Sequence, residues 1–223
     1  MMRTLFIGDV HGCAEELDAL LHACGHRRGD RVVLVGDLVA KGPDSAGVVR
    51  RARERGMLAV RGNHDEHVLR WRAGKMPEGK KLKPEHKQVL DTLEDEDWAY
   101  LESLPLHRHF PELNVRVVHG GLVPGVPLEE QKPELMLNLR SIKPDGAPSK
   151  KMEAGAPWAS LWKGPELIIF GHDALRGVQR YPYAIGLDSG CVYGRELTAY
   201  VLPEGRFYAV KARRVYMELD GPT

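Results

Sequence analysis

The sequence predicts an α/β fold on three observations. Short apolar runs alternate with helix-period segments over the first third of the chain. Apolar runs end in five small polar clusters: Gly8-Asp9-Val10-His11-Gly12, Gly36-Asp37, Gly62-Asn63-His64-Asp65, His119-Gly120 and Gly171-His172. The last part of the chain alternates apolar and polar residues around a turn, as a hairpin does.

Taken in order, Thr4–Ile7 and residues 31–35 read as short buried strands, each running into Gly-Asp. Between them Leu17, Leu20, Leu21 and Cys24 fall at i, i+3, i+4 and i+7, one face of a helix, with Glu15, Glu16 and Asp18 favourable in its first turn. Gly25 and Gly29-Asp30 punctuate its end. Residues 46–55 read as a helix, 57–60 as a strand and 64–72 as a helix. Residues 74–97 break the pattern. Lys75, Lys80, Lys81, Lys83 and Lys87 lie among glycines and prolines, and residues 91–97 are acidic, as in a lid or insertion. Val115–Val118 is a buried strand leading into His119-Gly120. Residues 124–165 form an irregular segment with one helix near 129–138. Leu167–Phe170 is a strand into Gly171-His172, and residues 197–202 and 207–210 pair around Pro203-Glu204-Gly205. No repeat or long linker divides the chain, so residues 1–223 are expected to form a single domain. Four of the five clusters stand at strand ends, where ligands gather in such folds.

Composition narrows the function. A chain of 223 residues, 43% hydrophobic and 28% charged, can bury a core without staples. A net charge of +1 argues against a broadly basic nucleic-acid coat, though not against a local basic patch. No apolar run approaches the ~20 residues of a membrane helix, and the start reaches Asp9 too soon for a signal peptide. Cys13, Cys24 and Cys191 show no CxxC spacing and leave an odd thiol, which suits a reducing cytoplasm.

Alone, each cluster has an ordinary reading. Gly-Asp after a strand is usually a turn, His-Gly a surface or core histidine, and Gly-Asn-His-Asp a helix start capped by Asn63. Their joint order points to metal. Asp9 and His11, two apart beyond a strand, would face the same way on extended backbone. Asp37 has two oxygens with which to bridge two cations, Asn63 offers a neutral carbonyl, and His119 and His172 offer imidazoles. Mixed oxygen and nitrogen donors favour Mn²⁺, Fe, Zn²⁺ or Co²⁺ over Mg²⁺ and Ca²⁺.

These residues resemble the pattern GDxHG, GDxxxxG, GNH(D/E), H and GH of the calcineurin-like metallophosphoesterase superfamily. Within it the chain is similar to the symmetrical diadenosine tetraphosphatases and to the bacterial phosphoprotein phosphatases, over nearly its whole length from Gly8 to Tyr193. The resemblance implies a β-sandwich of two mixed sheets flanked by helices, with the site at one edge. It implies one metal held by Asp9, His11 and Asp37, and another held by Asp37, Asn63, His119 and His172. Two divalent ions are expected, Mn²⁺ first, with Fe, Co²⁺ or Zn²⁺ as alternatives. It also implies in-line attack by a metal-bridging hydroxide, His64 as general acid, and Arg61 and Lys41 facing the phosphates. Arg140 resembles the family's second phosphate-binding arginine more loosely.

One departure separates the branches. The phosphoprotein phosphatases carry GDxVDRG, with a second Asp that orients the catalytic histidine, whereas this chain reads Gly36-Asp37-Leu38-Val39-Ala40-Lys41-Gly42-Pro43. Ala40, and Asp65 after Gly-Asn-His, resemble the dinucleotide branch. They leave open what orients His64, with Asp65 or a water as candidates. Lys41 keeps an arginine's charge but loses its bidentate fork. The run from Leu187 to Gly194 resembles that branch's (I/L)D(S/T)GCVYG segment, read here as a strand end beneath the metals. Cys13 and Cys191 both adjoin motif glycines and read as buried thiols. The lysines at 75–87 either cradle a polyphosphate or form a solvated insertion, and no tryptophan is singled out as a base platform.

The expected function is therefore symmetrical hydrolysis of diadenosine tetraphosphate to two ADP. The alternative is a phosphoprotein Ser/Thr (or dual) phosphatase, and behind it a catalytically inactive metal-binding module. Expected partners are a dinucleoside polyphosphate or another phosphate ester, phosphoproteins under the alternative, no membrane, and no nucleic acid beyond nucleotide-capped RNA ends.

Overall fold

The computed structural model describes residues 2–218. Its elements run β1 (Thr4–Ile7), α1 (Ala14–Ala23), β2 (Arg31–Leu34), α2 (Ser45–Glu54), β3 (Leu58–Ala59), α3 (Asn63–Arg72), α4 (Pro84–Thr92), α5 (Asp95–Glu102), β4 (His107–Phe110), β5 (Val115–Val118), α6 (Pro133–Asn138), β6 (Ser141–Ile142), β7 (Pro148–Ser149), β8 (Ala156–Pro157), β9 (Leu167–Phe170), β10 (Gln179–Tyr181), β11 (Ala184–Gly186), β12 (Glu196–Leu202) and β13 (Arg206–Lys211). One five-stranded sheet has the order β13-β12-β1-β2-β3 and a second has β10-β11-β9-β5-β4; β7-β6-β8 form a small third sheet.

Both large sheets are mixed in the same way. β1, β2 and β3 are parallel neighbours, with β12 and β13 antiparallel at one side. In the other sheet β11, β9 and β5 are parallel, flanked by antiparallel β10 and β4. Parallel strands covered on both faces need apolar residues at successive positions, which is why β1, β2, β5 and β9 are mostly apolar; Arg116 interrupts β5, and its charge is met by Glu166 at 2.7 Å.

Alternation then sorts these residues between layers. Phe6, Val33, Val115, Val117 and Ile169 point into the seam between the sheets, where Phe110, Ile185 and Leu187 join them. Leu5, Ile7, Val32 and Leu34 face the other way, against Leu17, Leu20 and Leu21 of α1 and Val48, Val49 and Ala52 of α2. On the far side of the second sheet, Ile168 and Phe170 pack on Leu122, Met136, Leu139 and Trp158. The expected sandwich of two mixed sheets flanked by helices is the fold observed.

Local chemistry sets the boundaries. Asp44 caps α2 by accepting the Gly47 N–H at 2.7 Å. At α3 the cap is Gly62, not Asn63, which is the first helical residue. Asp65 in the first turn accepts the Gly62 N–H at 2.9 Å, the reciprocal half of a capping box, while the first-turn His64 N–H, which a capping side chain would take, goes to Asp37 Oδ1 at 2.8 Å. The segment expected as a lid or insertion, 74–97, contains the whole of α4 and the start of α5. The helix expected near 129–138 is shorter, beginning at Pro133 after a 3₁₀ turn at Leu128–Glu130.

Candidate metal centre

Six parallel strands, three from each sheet, deliver the site at their carboxyl ends. Asp9 follows β1, Asp37 follows β2, and Asn63 and His64 follow β3 as α3 begins. From the other sheet, His119 follows β5, His172 follows β9 and Asp188 follows β11. All but the fully buried His119 line one cavity of about 630 Å³, together with Lys41, Arg140, Lys83 and Tyr193.

The backbone is strained to hold them there. Among the described residues six non-glycines have positive φ, and five belong to this region: His11 at 46°, Asp37 at 51°, Ala40 at 69°, Lys41 at 66° and His172 at 70°. Each such conformation costs about 1–3 kcal/mol and persists where the surroundings enforce it, as at functional sites. His11 thus does not continue an extended strand beyond Asp9; it reaches the cavity by turning. Two glycines allow the close approach. A Cβ on Gly171 would collide with the Asp9 carboxylate, and one on Gly62 with the Asp37 backbone and carboxylate.

Donor geometry is set by the backbone around it. His11 Nδ1 donates to the Val39 carbonyl at 3.1 Å and His119 Nδ1 to the Val35 carbonyl at 2.9 Å. In the neutral rings this leaves each Nε2 with its lone pair toward the cavity, the arrangement that orients metal-binding imidazoles. Both meet one atom: Asp37 Oδ2 lies 3.4 Å from His11 Nε2 and 3.5 Å from His119 Nε2. The other Asp37 oxygen accepts the His64 backbone N–H at 2.8 Å. Asn63 Oδ1 lies 3.0 Å from His119 Nε2 and 2.9 Å from His172 Nδ1. Donors bound at about 2.0–2.2 Å to one ion stand roughly 3 Å apart, so this spacing suits a shared cation. Asp9 accepts the His172 N–H with both oxygens, at 3.1 and 3.2 Å. Among the described residues two donor groups have atoms within 4.8 Å of one another, His11-Asp37-His64 and Asp37-His119-His172. Asp37 belongs to both.

The electrostatics call for positive charge. Asp9, Asp37 and Asp188 are all nearly fully buried. Burial, with Asp188 and Asp37 beside it, pushes the Asp9 carboxyl well above its ordinary range. Burial likewise raises Asp188. Asp37 goes the other way, because His119, His64 and His11 outweigh its burial and hold it well below the usual range. Burial opposes charge on His119, but Asp37 and Asp9 push its pKa up to about 10, a proton serving where a metal would otherwise neutralise the carboxylates. Buried carboxylates, oriented imidazoles and one shared oxygen fit a pair of divalent cations.

The remaining expected residues divide. Lys41 Nζ lies 3.2 Å from His11 Nε2 and 5.3 Å from the centre of the Tyr193 ring; Tyr193 and Asp37 raise its pKa against burial. Arg140 lines the cavity, anchored by its Nη2 to the His172 carbonyl at 3.1 Å and by its Nη1 to the Lys150 carbonyl at 3.2 Å. Arg61 does not line it: its guanidinium is engaged by Glu66 at 3.0 Å and by the Glu102 carbonyl at 2.7 Å. Asp65 accepts the Leu38, Val39 and Gly62 N–H groups, so its oxygens serve the backbone. His64 instead meets His86, Nδ1 to Nε2, at 3.0 Å.

A second cavity of about 1040 Å³ adjoins the first, sharing Asn63, His64, Lys83 and Asn138, and is edged by Arg70, Lys80, Lys81 and Lys150. The lysine segment therefore borders the centre. Trp98 and Trp158 are core residues, and none of the four tryptophans lines either cavity. Cys13, Cys24 and Cys191 are free and buried, and among the described residues no helix is long and apolar enough to cross a membrane. Sequence reading missed Asp188 and His86 as members of the site. The Leu187-Asp188-Ser189-Gly190 run, another carboxylate after a strand, was the available signal for Asp188; His86 had none.

Comparison with known proteins agrees with this geometry. Residues 2–208 match the calcineurin-like phosphoesterase family. An asymmetrical bis(5'-nucleosyl)-tetraphosphatase (PrpE) from Oceanobacillus iheyensis is 26% identical, over 97% of this chain and 95% of its own. A symmetrical bis(5'-nucleosyl)-tetraphosphatase from Aromatoleum aromaticum is 30% identical, over 92% of this chain and 96% of its own. A crystal structure of a candidate diadenosine tetraphosphatase superposes with a TM-score of 0.86 at 38% identity, over 95% of this chain and 94% of that one.

Proposed function

The chain belongs to the calcineurin-like phosphoesterase family, and from that premise we propose that it hydrolyses diadenosine tetraphosphate symmetrically to two ADP, using two divalent cations, Mn²⁺ foremost. The observation that carries the chemistry is Asp37 Oδ2, equidistant from His11 Nε2 and His119 Nε2 and so suited to join two cation sites. Asp9 and His11 would complete one site with Asp37; Asn63, His119 and His172 would complete the other. When bound, the ions supply Lewis-acid charge and lower the pKa of the attacking water.

The protein's own groups do the rest. His64 Nδ1 is engaged by His86, which leaves Nε2 to give a proton to the departing phosphate oxygen. Lys41 and Arg140, both lining the cavity, face the charge that grows on the phosphoryl oxygens. Arg61 joins them only by releasing Glu66 and the Glu102 carbonyl. The adjoining basic cavity supports a substrate with a long anionic chain, because it gives phosphates beyond the cleaved one a place beside Lys80, Lys81 and Lys83. Ala40 and the symmetrical relative support cleavage in the middle of that chain. Three free thiols suit a cytoplasmic location.

The test is to load the protein with Mn²⁺ and compare kcat/KM for diadenosine tetraphosphate and a phosphoserine peptide, identifying the nucleotide products. Two ADP is the expected result. ATP plus AMP would reassign the chain to asymmetrical cleavage, and preference for the peptide would make it a phosphoprotein phosphatase.

A further inference from the structure

We infer that His86 is the positioning residue for His64, taking the place that a carboxylate at position 40 would fill. The inference rests on the reading of His64 as the proton donor. Its direct support is the 3.0 Å contact between His64 Nδ1 and His86 Nε2, with ring centres 5.3 Å apart and ring planes inclined by 19°, the edge-to-edge arrangement of an in-plane hydrogen bond. His86 is buried, and its Nδ1 has no partner among the described residues, so the hydrogen bond to His64 is the one its ring makes.

The surroundings hold His86 rather than merely tolerate it. His64, His67 and Trp71 follow one another at i, i+3 and i+7, along one face of α3. Trp71 Nε1 donates to His67 Nε2 at 3.0 Å, which fixes the His67 ring. The His67 ring centre lies 4.3 Å from that of His86. His86 is thereby clamped between two histidines of α3. Pro84 at the first position of α4 pins the backbone just before it.

The other candidates are spoken for. Position 40 is alanine, and the Asp65 carboxylate accepts three backbone N–H groups. An imidazole also has a physical advantage here. Asp9, Asp37 and Asp188 already crowd the centre with buried carboxylates. A neutral ring can fix the orientation of His64 without adding another negative charge to that group.

The experiment compares H86A, H86Q, H64A and the double variant H64A/H86A, each loaded with Mn²⁺, on phenyl phosphate and 4-nitrophenyl phosphate. H86A should lower kcat for phenyl phosphate on the order of 10- to 100-fold, the usual effect of losing an orienting partner. It should lower kcat much less for 4-nitrophenyl phosphate, whose leaving group needs no proton, and should leave KM and metal content unchanged. H86Q, which restores a hydrogen-bonding group, should recover most of the loss, and H86A should cost nothing further in the H64A background. An equal loss with both esters, or a further loss on top of H64A, would overturn the inference. H64A behaving as the unaltered protein would instead reject the acid role of His64, a different failure. In the unaltered protein labelled with ¹⁵N, a scalar coupling should pass between His64 Nδ1 and His86 Nε2; its absence would count against the pairing whatever the variants do.

Discussion

The carboxylate of Asp37 accepts the backbone N–H of His64 at 2.8 Å, so the residue shared by both donor groups is tied to the first turn of α3. One oxygen is thus committed to the helix and the other left to the cavity. Asp37→Asn keeps the shape but removes the charge. It is expected to lose both metals, read by elemental analysis, and roughly 10³-fold or more in kcat/KM, because several kcal/mol of charge stabilisation go with them. Retention of two metals per chain would sink the shared role. Stripping metal from the unaltered protein should lower its Tm, since Asp9, Asp37 and Asp188 lose their counter-charge. An unchanged Tm would mean protons neutralise the site equally well.

His64 stands in the donor group with His11 and Asp37, a position open to a ligand as well as to an acid. His64→Ala separates the two roles. As an acid, its removal leaves metal content intact and slows turnover by about 10²–10⁴-fold for poor leaving groups, with little effect on activated aryl esters. Loss of one metal equivalent would make it a ligand.

The strand ends were legible in the sequence for a physical reason. β1, β2, β5 and β9 are buried on both faces and so are mostly apolar, Arg116 of β5 being ion-paired to Glu166, and each is followed by the polar residues that make the site. The two-residue strands β6, β7 and β8 leave no periodic signal, and β4, the run His-Arg-His-Phe, has too little apolar character to be seen. His11, Asp37 and His172 could be named as donors, but not their left-handed backbone, which long-range packing imposes. His86 was illegible because its role arises from packing α4 on α3 across 22 residues. No local pattern announces such a contact.

Stability should depend on pH through His86. Burial, reinforced by His67, Lys83 and Lys41 and opposed by Glu85, pulls its pKa down from 6.5 to about 4, and His64 also faces it. Between these values the unfolded chain binds a proton at this position and the folded chain does not. This contribution is fully present above about pH 6.5 and is lost as pH falls toward about 4. Denaturant titrations across this range should show stability declining with acid, and less steeply in H86Q. Equal slopes in the two proteins would exclude His86 as a source.

Lys80, Lys81 and Lys83 are exposed, yet they border the cavity that adjoins the metal centre. Exposed charges contribute little to folding, so K80Q/K81Q/K83Q should leave Tm nearly unchanged. Their field acts on a bound polyanion, and its effect should grow with the number of phosphates. The triple variant is expected to raise KM for diadenosine tetraphosphate roughly tenfold, about 1.4 kcal/mol, and KM for 4-nitrophenyl phosphate far less. The difference should shrink as ionic strength rises, because counterions screen exposed lysines. A proportional increase for both substrates would locate the effect at the metal centre, through Lys83, which lines both cavities. No change for either would make the segment a solvated insertion, and the long anionic substrate would then need another source of positive charge.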